Sequence, residues 1–207
     1  HGISTVANGS LNVFRSYEVP LRIRKLLKNT AFRNLKNNQM VFSDQVHGSK
    51  IKKVTMADGG SIKLAADGLT TNEKDLLLVI KTADCLPLLF YDPVQKVVAA
   101  CHCGFLGVVK EILPKAINFL RKEFKNKSKD IIIGIGPHIS QENYDLREKW
   151  LKQAKQNKKL KQFLKGNKFS LKDAAIWQLT KKGVLRRNIE VIDICTFANP
   201  KIFFSHR

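Results

Sequence analysis

Three side chains that can bind a metal lie at the ends of predicted strands. His47 follows the segment SDQV, Cys85 ends the segment TADC, and His102 lies in AACHCG. Strand ends and the loops that follow them are where rigid scaffolds present functional groups. Two imidazoles and one thiolate suit Zn²⁺, and three protein ligands leave a fourth position for water or substrate, as in catalytic zinc sites. Because the three residues form no compact motif, a buried cysteine with two hydrogen-bonded histidines remains the alternative.

The same residues admit a metal-free chemistry. A cysteine activated by a histidine is the core of thiol hydrolases and acyltransferases, and Cys85 with His102 could form such a dyad. This interpretation leaves His47 without a role. Cys101 and Cys103 flank His102, and successive residues of a strand point to opposite faces. We therefore predict that both cysteines point away from the face that His102 uses and contribute to packing.

The hydrophobic pattern predicts the strands that must position these residues. Two short β-like runs in QMVFSDQVHGSKIKKVT break at His47-Gly48. Longer apolar runs predict further strands over 76–81, 86–91, 97–101, 189–194 and within 130–140. The turn residues at 91–96 predict that the strands on either side of them pair antiparallel.

Apolar residues at helical spacing predict three helices, over 108–124, 147–165 and 171–182. Pro114 should kink the first helix or shift its start, because proline lacks the backbone N–H that a helix interior uses. Gly183 is a candidate left-handed cap for the third helix. With no internal repeat or linker, the pattern predicts one α/β or α+β domain over 1–207.

The composition points to anionic ligands and to no membrane partner. The net charge is +20, from 37 Lys and Arg against 17 Asp and Glu, and such a field attracts nucleic acid or phosphate. A solvated basic surface is the alternative. No apolar run approaches the roughly 20 residues of a membrane-spanning helix, and the chain opens with no secretory leader. Four cysteines in a chain of this length do not indicate a disulfide scaffold, so we expect a cytoplasmic location.

Several motifs occur together in one order, and they carry a family resemblance. They are HGIST (1–5), SLN (10–12), QVHG (45–48), DGLTT (67–71), TADCLPLLFYDP (82–93), CHCGFLG (101–107), IGIGPHIS (133–140) and CTFANPKIFFSHR (195–207). This set resembles the bacterial laccase-domain family, formerly described as multicopper polyphenol oxidases and now as zinc-dependent purine nucleoside phosphorylases. The resemblance extends over nearly the whole chain.

The resemblance implies a fold, a metal site and an activity. It implies an α+β domain in which mixed and antiparallel sheets are sandwiched between helices. It also implies one zinc ion on His47, Cys85 and His102, the residues that the strand-end argument selects. The implied substrates are phosphate and the purine nucleosides adenosine, inosine and methylthioadenosine, and adenosine deaminase activity is implied beside phosphorolysis.

The sequence departs from the family pattern at residues that could bind phosphate. The family usually has arginine where this chain has Val6 and Leu106, and tryptophan where it has Phe105. Neither valine nor leucine can replace the bidentate guanidinium. Phe105 could stack on a purine base or belong to the core.

Three further residues fall within family motifs near the implied site: Asn12, Gln45 and His138. Each is a candidate substrate-binding residue, with a structural hydrogen-bonding role as the alternative. The sequence does not indicate a general acid or base.

The sequence thus favours a zinc-dependent purine nucleoside phosphorylase. The second interpretation is a catalytically weakened zinc-binding homologue whose basic surface binds RNA or another anion. The third is a Cys85–His102 thiol hydrolase. Copper fits less well than zinc, because multicopper oxidases need many more histidines than the five present here.

Overall fold

The centre of the fold is a long antiparallel hairpin. The structure, a computed structural model, describes residues 34, 36–60 and 64–207. Strand β6 (Leu86–Asp92) pairs with β7 (Val97–Cys103) over its whole length, which confirms the two predicted strands and their antiparallel pairing. The Asp92 carboxylate accepts hydrogen bonds from the backbone N–H groups of Val94 and Gln95, and so closes the turn between the strands.

Four further strands extend this hairpin into a mixed six-stranded sheet. The order across the sheet is β11–β8–β6–β7–β4–β2. The pairs β6–β8 and β4–β7 are antiparallel, whereas β8–β11 and β2–β4 are parallel. The added strands are β2 (Ile51–Lys53), β4 (Gly68–Thr71), β8 (Ile132–Ile135) and β11 (Ile189–Val191).

A smaller parallel sheet and a short hairpin complete the β-structure. The three-stranded sheet has the order β3–β1–β5, with β1 (Met40–Asp44) between β3 (Leu64–Ala65) and β5 (Leu77–Val79). Strands β1 and β2 flank His47-Gly48, as the broken pattern predicts. The hairpin consists of β9 (Leu164–Lys165) and β10 (Lys168–Phe169).

Each face of the six-stranded sheet has its own apolar core. On one face, strands β6, β7 and β8 pack against the helices in a large buried cluster. A second cluster joins the smaller sheet to the larger one through Val41 of β1, Leu69 of β4, Val54 and Leu76. Together these elements form the compact α+β unit that the family resemblance implies.

The described residues form four helices: α1 (Phe105–Val109), α2 (Ile112–Phe124), α3 (Glu148–Gln156) and α4 (Leu171–Lys181). The single helix predicted over 108–124 is therefore two. Glu111 separates them in the left-handed conformation, with φ of 56°. Pro114 lies at the third position of α2, where no intrahelical partner for its missing N–H is needed. The predicted shift of the helix start is confirmed.

The helix predicted over 147–165 is too long. Helix α3 ends at Gln156, and the side-chain oxygen of Asn157 then accepts hydrogen bonds from the backbone N–H groups of Lys159 and Leu160. Asparagine competes in this way with the helical backbone and favours a turn. The chain continues as a 3₁₀ turn and strand β9, although its apolar spacing still suits a helix.

The helix predicted over 171–182 agrees with α4 to within one residue. The Ser170 hydroxyl accepts a hydrogen bond from the Asp173 N–H at its N-terminus, and Gly183 takes a left-handed φ of 86° after its C-terminus. None of the helices in the described part of the chain has the length and apolar character to cross a bilayer.

Candidate metal centre

The three predicted ligands converge at one end of the two central strands of the six-stranded sheet. One ligand atom from each of His47, Cys85 and His102 lies within 4.8 Å of the others. The two imidazole rings are nearly perpendicular, with centroids 4.8 Å apart. Cys85 directly precedes β6 and His102 is the second-last residue of β7, so the antiparallel ladder brings them together. His47 comes from the loop between β1 and β2.

Strand alternation separates the site from the core. Cys101 and Cys103 are fully buried in the cluster on the helical face, whereas His102 points to the opposite face of β7. The predicted packing role of both cysteines is confirmed. Burial raises the pKa of Cys101 to about 12, which keeps this thiol protonated and unreactive.

The Asp67 carboxylate holds the ring of His102 and the backbone of His47, two of the candidate ligands. Asp67 is fully buried and accepts hydrogen bonds from the backbone N–H groups of His47 at 3.0 Å and Gly48 at 2.7 Å. Its Oδ1 also lies 2.9 Å from Nδ1 of His102. Because Nδ1 is occupied in this way, Nε2 of His102 is the nitrogen left for a metal.

Asp67 is a site residue that the sequence pattern does not single out. Its motif, DGLTT, belongs to the family pattern, but an aspartate before a glycine is typical of ordinary turns. Only its position within hydrogen-bonding distance of a ligand histidine shows its role.

The electrostatics of the site stabilise the Cys85 thiolate, the form in which cysteine binds a metal. Burial raises the pKa of the Cys85 thiol, but hydrogen bonds to His102 and His47 outweigh this effect and lower it to about 7. Burial lowers the pKa of His102, but hydrogen bonds to Asp67 and Cys85 raise it to about 9. The pocket therefore stabilises a thiolate beside positive charge. A thiolate and two oriented imidazoles suit Zn²⁺ better than Mg²⁺ or Ca²⁺, which prefer oxygen ligands.

A glycine lets the backbone approach the thiol closely. A Cβ placed on Gly104 would lie 2.6 Å from Sγ of Cys85 and 3.8 Å from the His47 ring. The first distance is well below van der Waals contact. Glycine is therefore required at this position because no Cβ fits beside Cys85. The backbone conformation of Gly104 does not require it.

The residue before Cys85 anchors the C-terminal segment beside the site. Asp84 has a left-handed φ of 83°, and its carboxylate is buried. It accepts hydrogen bonds from the Thr196 hydroxyl at 2.7 Å, the Ser205 hydroxyl at 2.9 Å and the His206 N–H at 2.7 Å. Within the TADC motif, Cys85 is therefore a candidate metal ligand, whereas Asp84 anchors the C-terminal segment.

Phe105 and Gln45 have structural contacts. Phe105 is only 4% exposed and packs against Phe169 and Trp150. The ring is thus enclosed by the core, which is the packing role that the sequence leaves open beside stacking on a base. The Gln45 amide exchanges two hydrogen bonds of 2.7 Å with the backbone of Lys81. Both polar atoms of this side chain are thus already occupied.

His138 lies in a different cavity from the three ligands. Its Nδ1 contacts the Gly136 carbonyl at 2.9 Å, and the ring lines a cavity of about 330 Å³ together with Asp193 and Cys195. None of the three candidate metal ligands lines this cavity. Asn12 and Val6 lie outside the described residues.

We expect Gly104→Ala to weaken metal binding sharply, because the new methyl group would displace the Cys85 thiolate. Gly134→Ala is the matched control, since a Cβ at that position of β8 would meet nothing within 4 Å. Competitive titration of zinc against a chelator measures both affinities. Equal zinc affinity in the two variants would show that Cys85 is not a ligand.

We expect Asp67→Asn to lower zinc affinity by about 10- to 100-fold, the usual effect of removing a partner of a metal-bound histidine. Asparagine keeps only one acceptor oxygen, so the bond from the Gly48 N–H to Oδ2 is lost and an amide N–H donor faces this loop instead. Asp92→Asn is the control, because Asp92 is equally buried and also caps backbone N–H groups. Chelator titration and the Co²⁺ absorption spectrum measure the effect; equal losses in both variants would indicate general destabilisation instead.

The whole chain is similar in sequence to known proteins. All of residues 1–207 match the family model described as multi-copper polyphenol oxidoreductase laccase. A *Bacillus subtilis* protein named purine nucleoside phosphorylase YlmD is 35% identical over 182 residues, which are 81% of this chain and 65% of that protein. A *Campylobacter jejuni* protein named purine nucleoside phosphorylase Cj1217c is 30% identical over 207 residues, which are 100% of this chain and 85% of that protein.

Solved structures share the fold. A hypothetical protein YfiH from *Bacillus licheniformis* superposes with a TM-score of 0.85 at 27% identity, covering 96% of this chain and 79% of that one. YlmD from *Geobacillus stearothermophilus* superposes with a TM-score of 0.82 at 27% identity, covering 100% and 83%. On the match of its full length, the chain belongs to the multi-copper polyphenol oxidoreductase laccase family.

Proposed function

We propose that this protein is a zinc-dependent purine nucleoside phosphorylase of the cytoplasm. Adenosine, inosine or methylthioadenosine would react with phosphate to give the free base and a pentose 1-phosphate. The observation that carries the proposal is the convergence of His47, Cys85 and His102 within 4.8 Å. The names of the relatives support the substrate class.

Phosphorolysis makes definite demands on the site. A phosphate oxygen forms a bond to C1′ of the pentose while the glycosidic C–N bond breaks and its electron pair leaves with the base. Positive charge therefore develops on the pentose, and the departing nitrogen gains negative charge until it is protonated. A zinc ion, when bound, would supply a Lewis acid for a substrate oxygen. The protein must hold the ligands still, because electrostatic stabilisation depends on groups that are already in place.

The hydrogen bonds around the site hold the candidate ligands in place, as electrostatic stabilisation requires. Asp67 fixes the ring of His102 and the backbone of the His47 loop, so neither ligand needs to reorganise when charge develops. Gly104 brings the backbone against Cys85 and leaves little freedom for the thiolate. These contacts support a preformed site whose open side is available to substrate.

Cationic groups lie near the site and could receive phosphate. The Lys110 ammonium donates a hydrogen bond to the His47 carbonyl at 3.0 Å. The Arg207 guanidinium stacks over the Tyr144 ring at 5.0 Å and donates to the Asp145 carbonyl. Burial raises the pKa of Tyr144 to about 12, so its hydroxyl stays protonated at neutral pH.

Adenosine deamination is a second candidate activity of the same site. Three protein ligands leave an open position, which is the arrangement of zinc deaminases. The thiol hydrolase interpretation is less favoured, because Cys85 interacts with both histidines and both have a place in the cluster. A dyad would require only one of them.

Metal analysis and a product assay on the same protein test the proposal. Zinc-loaded protein is incubated with adenosine or inosine, with and without phosphate, and the products are separated. We expect one zinc per chain, phosphate-dependent release of adenine or hypoxanthine, and loss of both zinc and turnover in Cys85→Ala. Phosphate-independent formation of inosine would indicate deamination alone. Zinc without turnover, or turnover that survives Cys85→Ala, would refute the proposal.

We expect Leu106→Arg to raise kcat/KM for phosphate by about tenfold or more, since a charged hydrogen bond contributes roughly 1.5–3 kcal/mol. Leu106 is partly buried on α1, the helix that follows His102 and Gly104. Leu106→Lys is the control, because it adds the charge without the bidentate fork. No gain in either variant, measured by initial rates against phosphate concentration, would mean that another group binds phosphate.

A further inference from the structure

One segment of the surface has a strong excess of positive charge. Residues 147–168 contain nine basic residues and one acidic residue, Glu148. The segment comprises α3, a 3₁₀ turn (Lys161–Phe163) and the β9–β10 hairpin. It therefore carries a large share of the +20 net charge on about a tenth of the chain.

Packing turns the apolar side chains of this segment inward. Ala154 and Leu160 are buried, and Trp150, Leu151 and Phe163 are partly buried against the main core. The basic side chains are left on the solvent side. We call the following exposed residues the basic face: Arg147, Lys149, Lys152, Lys155, Lys158, Lys159, Lys161 and Lys165.

Most of this charge is not neutralised locally. Lys159 lies 3.8 Å from Glu111, and Lys149 stacks on Trp150 at 5.2 Å. In the described part of the chain, the ammonium groups of Lys152, Lys155, Lys158 and Lys161 form no ion pair and no cation–π contact. Four unpaired lysines within ten residues produce a sustained positive potential that a multivalent anion would relieve.

The backbone holds these lysines in place. Lys152 and Lys155 are three residues apart in α3, which puts them on neighbouring positions of one helix face. Asn157 ends the helix and closes the next turn through its side-chain oxygen, and this turn carries Lys158 and Lys161. The lysines therefore sit on an ordered helix and turn rather than on a free tail.

We propose that the basic face binds the phosphate backbone of nucleic acid without sequence preference. Phosphate contacts from lysine are electrostatic and do not depend on base identity. No large apolar side chain between residues 147 and 168 is more than partly exposed, so the face offers no platform on which bases could stack. The same observation disfavours a membrane, because an interfacial helix inserts its apolar face and here that face is in the core.

The test uses the whole protein and a fluorescein-labelled oligouridylate of about 20 nucleotides. If the four unpaired lysines each neutralise one phosphate, log K should fall with log salt with a slope of about −3, a loss of about 50-fold in affinity between 50 and 200 mM salt. Fluorescence anisotropy at several salt concentrations measures this slope.

The variant replaces the four lysines: Lys152→Gln, Lys155→Gln, Lys158→Gln and Lys161→Gln. The matched control makes the same charge change near the C-terminal end of α2: Lys122→Gln, Lys125→Gln, Lys127→Gln and Lys129→Gln. We expect the first variant to bind at least about tenfold more weakly at low salt with a nearly flat slope, and the control to bind like the parent.

Three results would overturn the proposal. Equal weakening in both variants would assign the binding to net charge rather than to this face. Absence of binding at low salt would remove nucleic acid as a partner, and preferential binding to phosphatidylserine vesicles would assign the face to a membrane. Nucleoside phosphorolysis should be unchanged in both variants, so failure of this proposal is distinguishable from failure of the proposed function.

Discussion

The site depends on one buried carboxylate, that of Asp67. Burying a charge is unfavourable unless hydrogen bonds replace the water that it loses. Asp67 receives those bonds from the loop that carries His47 and from the ring of His102. The pKa of Asp67 is lowered although burial acts to raise it, so the bonds outweigh the desolvation. The requirement to satisfy this charge therefore places two candidate ligands that are 55 residues apart in the sequence.

The hairpin of β6 and β7 supplies the rest of the geometry. Its ladder brings Cys85 next to His102, while the alternation of side chains on β7 sends Cys101 and Cys103 to the opposite face. A single strand thus contributes to the core and to the site without conflict. The tight approach of Gly104 to the thiolate is possible because the chain leaves the sheet at this point and begins α1.

The site and the basic face use charge in different ways. At the candidate metal centre the charges are buried, paired and hydrogen-bonded, so salt screens them little. On the basic face the lysines are exposed and mostly unpaired, and their effect on a ligand falls steeply with salt. The net charge of +20 therefore says little about the chemistry of the site. It describes the surface.

The sequence by itself determined the local features whose physical cause is local. Apolar runs of strand length and turn chemistry predicted the β6–β7 hairpin, and Gly183 was predicted to end α4 because capping depends on neighbouring residues. Residue types at strand ends also selected the three ligands. The length of helix α3 was overestimated. Its apolar spacing continues beyond Gln156, but a side-chain hydrogen bond of Asn157 ends the helix there.

Only the tertiary structure decided which groups meet. It placed Asp67 on His102, enclosed Phe105 between Phe169 and Trp150, and put His138 in a cavity apart from the ligands. From the sequence alone, Phe105 fitted a stacking role and a packing role equally well, because both roles require the same aromatic ring. Such contacts join residues distant in the chain, and the free energy that selects them comes from burial and hydrogen bonding across the whole fold rather than from local sequence.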